Sequence, residues 1–117
     1  MWKIEEKTRD GQVSTFLSYS EYSCNCDFDD CNFILIYNPT VVAFENTRRN
    51  FGKPITVTSA HRCQRYNIHV HGTDDSRHMR GQAIDLVAEN LDELEKSARK
   101  YFDFVKRYRK FIHCHMN

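Results

Sequence analysis

Two short runs in this 117-residue chain hold side chains that could bind a metal together: SRHMRGQAID at 76–85, with His78 and Asp85, and FIHCH at 111–115, with His113 and His115. A hydrolytic zinc takes three protein ligands of the His, Glu, Asp or Cys kind and keeps a fourth position open for water. His78, Asp85 and His113 meet that requirement. A His2Asp set also accepts cobalt or manganese, so zinc is inferred from the donor types rather than fixed by them.

Elements predicted from the spacing would bring these ligands together. Gln82 to Val87 alternates with a period of two, which predicts a strand with Ala83 and Asp85 on one, wet face and Ile84 and Leu86 in the core. Gly81 allows a turn that returns His78 to the side of Asp85, and Ala83 is small enough to leave room there. The final segment alternates likewise: Phe111, His113 and His115 share one face, and Ile112, Cys114 and Met116 the other, with Cys114 in the core.

These motifs resemble those of the zinc D-alanyl-D-alanine carboxypeptidase family and its relatives, the L-alanyl-D-glutamate endolysins of phages and the zinc-bearing signalling domain of hedgehog. The family's S-x-H-x-x-G-x-A-x-D is matched by Ser76, His78, Gly81, Ala83 and Asp85. Its apolar strand running into S-G-Y-R and then an Asn is similar to ITVTSAHRCQRYN, with Ser59, Arg62 and Asn67 in place. Its Tyr five residues before the His of F-[VI]-H-x-D is similar to Tyr108 and His113. The likeness covers roughly residues 39 to 115, with the motifs in family order.

The resemblance implies His78, Asp85 and His113 as zinc ligands, Arg62 as the cation for a substrate carbonyl or carboxylate oxygen, and Ser76 as a polar group lining the cleft. It implies a metallopeptidase that hydrolyses a peptide bond involving D-amino acids in bacterial peptidoglycan. A zinc-binding, catalytically weak module that recognises cell wall or a protein partner is the alternative. A metallohydrolase of another class, such as an amidase on a small peptide, is a third reading.

The chain departs from its relatives where they carry a general base. In place of an acidic residue three positions before the final His, or an Asp two positions after it, stand Lys110 and His115. A protonated Lys cannot accept a proton, so His115 is the expected base. A shifted register, with His115 as ligand and His113 as base, remains open. S-G-Y-R reads Ser59, Ala60, His61 and Arg62, and the usual pair of glycines reads His71 and Gly72. His61 is therefore expected either as a pocket wall or as filling beside the strand end, and His71 as a solvent-exposed residue able to line the cleft.

Composition sets the outer bounds. The length suits one domain, 1–117, with residues 1–38 as a Cys-containing N-terminal extension packed on the motif-bearing part. Lys+Arg 17 against Asp+Glu 16 offers no global electrostatic footprint for nucleic acid. A basic run holding Arg99, Lys100, Lys106, Arg107, Arg109 and Lys110 is expected to be the solvated face of an amphipathic segment rather than a patch for anionic wall polymer. No apolar run reaches the roughly 20 residues of a membrane span. The first residues lack the apolar centre of a secretory signal, so the expectation is synthesis in the cytoplasm, action on the wall after phage lysis or export, and a monomer.

Five cysteines are many for this length. Cys24, Cys26, Cys31 and Cys63 could supply a closed structural zinc site, or Cys24 or Cys26 could pair with Cys63 in a disulfide. C-x-C-x4-C is not a standard zinc-knuckle spacing, so unpaired buried thiols are the baseline expectation.

The rest reads as scaffold. Asn38 is expected to cap a helix with Pro39 at its first position and Val41, Phe44 and Phe51 inward, Gly52 and Pro54 ending it before a strand from Ile55 to Thr58. Another helix is expected from Asn90, with Leu91, Leu94, Ala98 and Phe102 inward, and Ser18 to Glu21 reads as a capping box. The whole predicts an α+β domain: a small, largely antiparallel sheet carrying the zinc site, flanked by helices, of the hedgehog/DD-peptidase type.

Overall fold

The computed structural model describes residues 1–117 as an α+β arrangement of small antiparallel sheets and helices. In chain order these are β1 (Trp2–Glu6), β2 (Gln12–Ser14), β3 (Leu17–Ser18), α1 (Tyr19–Tyr22), β4 (Phe33–Tyr37), α2 (Asn38–Phe51), β5 (Thr56–Ser59) and α3 (Gln64–His69). A 3-10 turn (Arg77–Arg80), β6 (Ala83–Val87), α4 (Leu91–Ala98), β7 (Phe104–Arg107) and β8 (Ile112–His115) follow.

The principal sheet has the order β5-β6-β8-β7 and every neighbouring pair is antiparallel. Its core face carries Ile84 and Leu86 from β6, Ile112 and Cys114 from β8, and Val105 from β7. Leu94, Ala98 and Phe102, in and just beyond α4, join the same buried cluster, as do Val41, Phe44 and Phe51 from α2. Period two on the strands and near-four on the helices are thus both satisfied against one core.

The helix boundaries follow local chemistry. Asn90 accepts the backbone N–H of Glu93 and starts α4 as expected, and Ser18 and Glu21 form the reciprocal capping box of α1. The start of α2 differs from expectation. Tyr37 is its cap residue, and Asn38 lies inside the helix with Pro39 in the first turn. The strand pairing of β4 runs to Tyr37, so the chain turns directly from strand into helix without a side-chain cap. The basic run is not one segment either: Arg99 and Lys100 follow α4, Lys106 and Arg107 lie on β7, and Arg109 and Lys110 lie in the turn to β8. All six are exposed, as a solvated face should be. No helix is long and apolar enough to cross a membrane.

Residues 1–38 contribute several side chains to the core. β1 pairs with β4 along five residues, and Leu17, Tyr22, Ile34 and Ile36 belong to the main buried cluster. This segment also supports the turn that carries His78. The Tyr22 hydroxyl donates to the Gly81 carbonyl, and the Trp2 indole N–H donates to the Arg80 carbonyl at 2.7 Å. Gly81 sits at φ 70, and a Cβ there would meet the Leu35 carbonyl oxygen at 2.2 Å. Both the positive φ and the close approach of β4 require glycine.

Candidate metal centre

The β6–β8 register sets Asp85 directly opposite His113, with Ser59 beyond Asp85 on β5 and Lys106 beyond His113 on β7. One row across the sheet therefore presents a carboxylate and an imidazole side by side. His78 arrives from the 3-10 turn, whose first N–H groups are met by the Ser76 hydroxyl accepting from the His78 N–H at 3.3 Å. Ser76 thus caps the turn that carries His78.

His78 Nε2 lies 3.2 Å and His113 Nδ1 3.0 Å from Asp85 Oδ1, and the three donor atoms all fall within 4.8 Å of one another. A tetrahedral ion with arms of about 2.05 Å sets its donors about 3.3 Å apart, so the two short edges suit zinc. The outer contacts suit it as well. A carbonyl can only accept, so the 2.7 Å contact of His78 Nδ1 with the Ala60 oxygen puts the proton on Nδ1 and leaves the Nε2 lone pair aimed at Asp85. A lone pair facing a carboxylate oxygen calls for a cation between them, a proton or a metal ion.

The expected wet face around Asp85 is in fact covered: Asp85 is 8% exposed and His78 3%. The cover is made by the two imidazoles and by Arg62, whose Nη2 lies 3.9 Å from Asp85 Oδ2. Burial works to raise the Asp85 pKa, but hydrogen bonds from His113 and His78, with their charges, hold it down to about 2. His113 keeps more exposure, so the site opens on the β8 side.

His115 stands outside the triad. Its Nδ1 lies 3.0 Å from His113 Nε2, and its ring stacks on Phe104 at 4.6 Å between centroids. Burial, then the charges of Arg77 and His113, push its pKa down to about 4. A metal held by His113 Nδ1 would leave the proton on His113 Nε2, which then donates to His115 Nδ1 and occupies the one lone pair of the neutral ring.

Arg62 is anchored on both sides. Its Nη1 donates to Asn67 Oδ1 at 3.0 Å and its Nη2 to the Ser59 hydroxyl at 3.4 Å, while its backbone N–H donates to the His78 carbonyl. Asn67 is 2% exposed and spends its amide on the Thr73 carbonyl at 2.8 Å. That makes Asn67 the brace of Arg62, a role that spacing alone did not reveal; only its place in the resembled signature marked it. His61 is buried, with Nδ1 lacking a hydrogen-bond partner, and burial, then the charges of Lys7 and His78, push its pKa down to about 4. His71 is exposed and holds φ 60, a rare conformation outside glycine, on the loop leading to Gly72.

None of the five cysteines is in a disulfide, as the baseline of unpaired thiols has it, though not all are buried. Cys24, Cys26, Cys31 and Cys63 converge, their Sγ atoms all within 4.8 Å of one another, and only Cys24 and Cys31 of the four are buried. Cys114 is buried in the core, as expected.

The profile of the family described as Peptidase M15 matches residues 15–115. That span takes in His78, Asp85, His113, Arg62 and all five cysteines, and begins well before the first sequence motif. No curated protein matches the chain.

Proposed function

The chain belongs to the peptidase M15 family, and from that premise we propose that it is a zinc metallopeptidase hydrolysing a D-amino-acid-containing peptide bond of bacterial peptidoglycan, as a D-Ala-D-Ala carboxypeptidase or an endolysin-type endopeptidase. The observation that carries the proposal is the convergence of His78 Nε2, Asp85 Oδ1 and His113 Nδ1 on one point over the two central strands of the sheet. When bound there, zinc lowers the pKa of its water to about 7 and polarises a scissile carbonyl.

The chain's own residues have separate tasks. The Ala60 carbonyl fixes the His78 tautomer, and the strand register fixes Asp85 against His113. Arg62, held by Asn67 and Ser59, offers its planar set of N–H donors to a substrate carbonyl or carboxylate oxygen. His71, on the exposed loop, meets the substrate, while Ser76 and His61 shape the cleft from behind. His115 accepts the proton from the attacking water and returns it to the leaving amine, a role that requires its ring to give up the contact with His113. The protein would reach the wall after release from the cytoplasm or export, and act as a monomer.

A second reading, a zinc-binding recognition module with little turnover, is favoured by that same contact, because a lone pair engaged by His113 is unavailable to water. In it His115 positions His113. Incubation of the zinc-loaded protein with purified muropeptides, followed by mass spectrometry, separates the readings. Loss of a terminal D-alanine or scission of an L-alanyl-D-glutamate bond supports the peptidase and names its type. Zinc-dependent binding with every muropeptide intact refutes it.

A further inference from the structure

The four converging cysteines lie apart from the His78–Asp85–His113 set and have no part in the proposed chemistry. Cys24, Cys26 and Cys31 come from the loop between α1 and β4, and Cys63 from the cap position of α3, directly after Arg62. Cys63 Sγ lies 3.6 Å from Cys24 Sγ and 3.8 Å from Cys26 Sγ. Four thiolates at about 2.3 Å around a tetrahedral zinc stand about 3.8 Å apart. A disulfide closes to about 2.05 Å and uses each sulfur once, whereas Cys63 here sits at tetrahedral spacing from two partners.

The surroundings match a thiolate cluster. The Cys63 N–H donates to Cys24 Sγ at 3.3 Å, and the Tyr66 N–H donates to Cys63 Sγ at 3.4 Å. The Lys7 ammonium donates to Cys26 Sγ at 3.2 Å and to Cys31 Sγ at 3.5 Å. A dication with four thiolates carries a formal charge of roughly −2, which these donors and the Lys7 charge offset in part.

We propose that Cys24, Cys26, Cys31 and Cys63 hold a second zinc ion in a closed, structural site. The ion ties the 24–31 loop to the chain that carries Arg62 on one side and α3, with Asn67, on the other. This inference does not rest on the peptidase reading, since the four sulfurs bind the ion whatever the histidine site does.

The test is zinc content by mass spectrometry and zinc X-ray absorption on protein purified under reducing, metal-replete conditions, for the parent and a His78→Ala/His113→Ala double variant. About two zinc ions per parent chain are expected. About one should remain in the double variant, with four sulfur neighbours at about 2.3 Å and release in step with titration by a mercurial thiol reagent. A double variant without zinc, or with zinc bound by nitrogen and oxygen alone, overturns the proposal. Should the double variant fail to fold, the parent spectrum decides: an average of about two sulfur neighbours per zinc upholds the site, and a sulfur-free shell refutes it. Disulfide-linked cysteines in the freshly reduced, metal-replete protein would refute it as well.

Discussion

Gly72→Ala tests the bracing of Arg62 without touching a metal ligand. A Cβ at Gly72 would stand 2.0 Å from Asn67 Oδ1, 2.7 Å from Asn67 Cγ and 2.9 Å from Arg62 Nη1. Ordinary contact begins at 3.4 Å, so Oδ1 must retreat by roughly 1.4 Å and Nη1 by roughly 0.5 Å. Asn67 is buried and held by Thr73 and Arg62, so it can retreat only by giving up hydrogen bonds. Overpacking together with one buried bond lost costs about 2–4 kcal/mol. A misplacement of about 1 Å in a substrate-orienting group costs on the order of 100-fold in rate. Urea unfolding should therefore show the variant less stable by that amount, and muropeptide kinetics should show kcat/KM down on the order of 100-fold with zinc content unchanged. A Gly72→Ala protein with parental stability and kcat/KM within twofold of the parent would refute the claim that Asn67 and Gly72 hold Arg62 in place.

Tyr22→Phe leaves the buried Gly81 carbonyl without its hydroxyl donor, so it should cost about 1–3 kcal/mol in urea unfolding. By loosening the His78 turn it should also weaken zinc at the histidine site by about 10-fold in calorimetric titration. In the metal-free protein, the folded-state pKa of His61 near 4 against 6.5 when unfolded means that the unfolded chain takes up the proton first. Stability is then full above pH 6.5 and falls as the pH drops toward 4, by at most about 3 kcal/mol from this residue; His61→Phe should flatten that part of the profile. His115→Ala should abolish turnover, with zinc affinity within a few-fold of the parent, if His115 takes the proton. Loss of zinc affinity by about 10-fold or more alongside turnover would assign it to positioning His113.

The convergence of His78, Asp85 and His113 was legible because each sits on a segment whose local period shows its face: Ala83 to Val87 and Ile112 to His115 alternate, and Gly81 marks the turn that returns His78. What lay beyond reading was everything decided by distant partners. Asp85 looked solvated because alternation reports which way a side chain points, not what folds over it, and His78 and Arg62 fold over it. Trp2, Tyr22 and Leu35 buttress the His78 turn from the far end of the chain, and contacts of that separation leave no periodic trace. The membership of the cysteine cluster could be named from the sequence, but with Cys63 supplied by another element the spacing could not decide between a zinc site, a disulfide and unpaired thiols. Asn38 is a good capping residue by type, but the β1–β4 pairing carries the strand through Tyr37 and sets the helix start one residue earlier than its side chain suggests.

The central claim is that a metal held by His78, Asp85 and His113 cleaves peptidoglycan peptide. The most direct measurement is zinc stoichiometry and muropeptide turnover on the same preparations of the parent and of His78→Ala. The account predicts that the variant stays folded, keeps the cysteine-bound zinc, loses the other ion and with it all turnover. A variant that still cleaves muropeptides at the parental rate, or one that retains both ions, would contradict it.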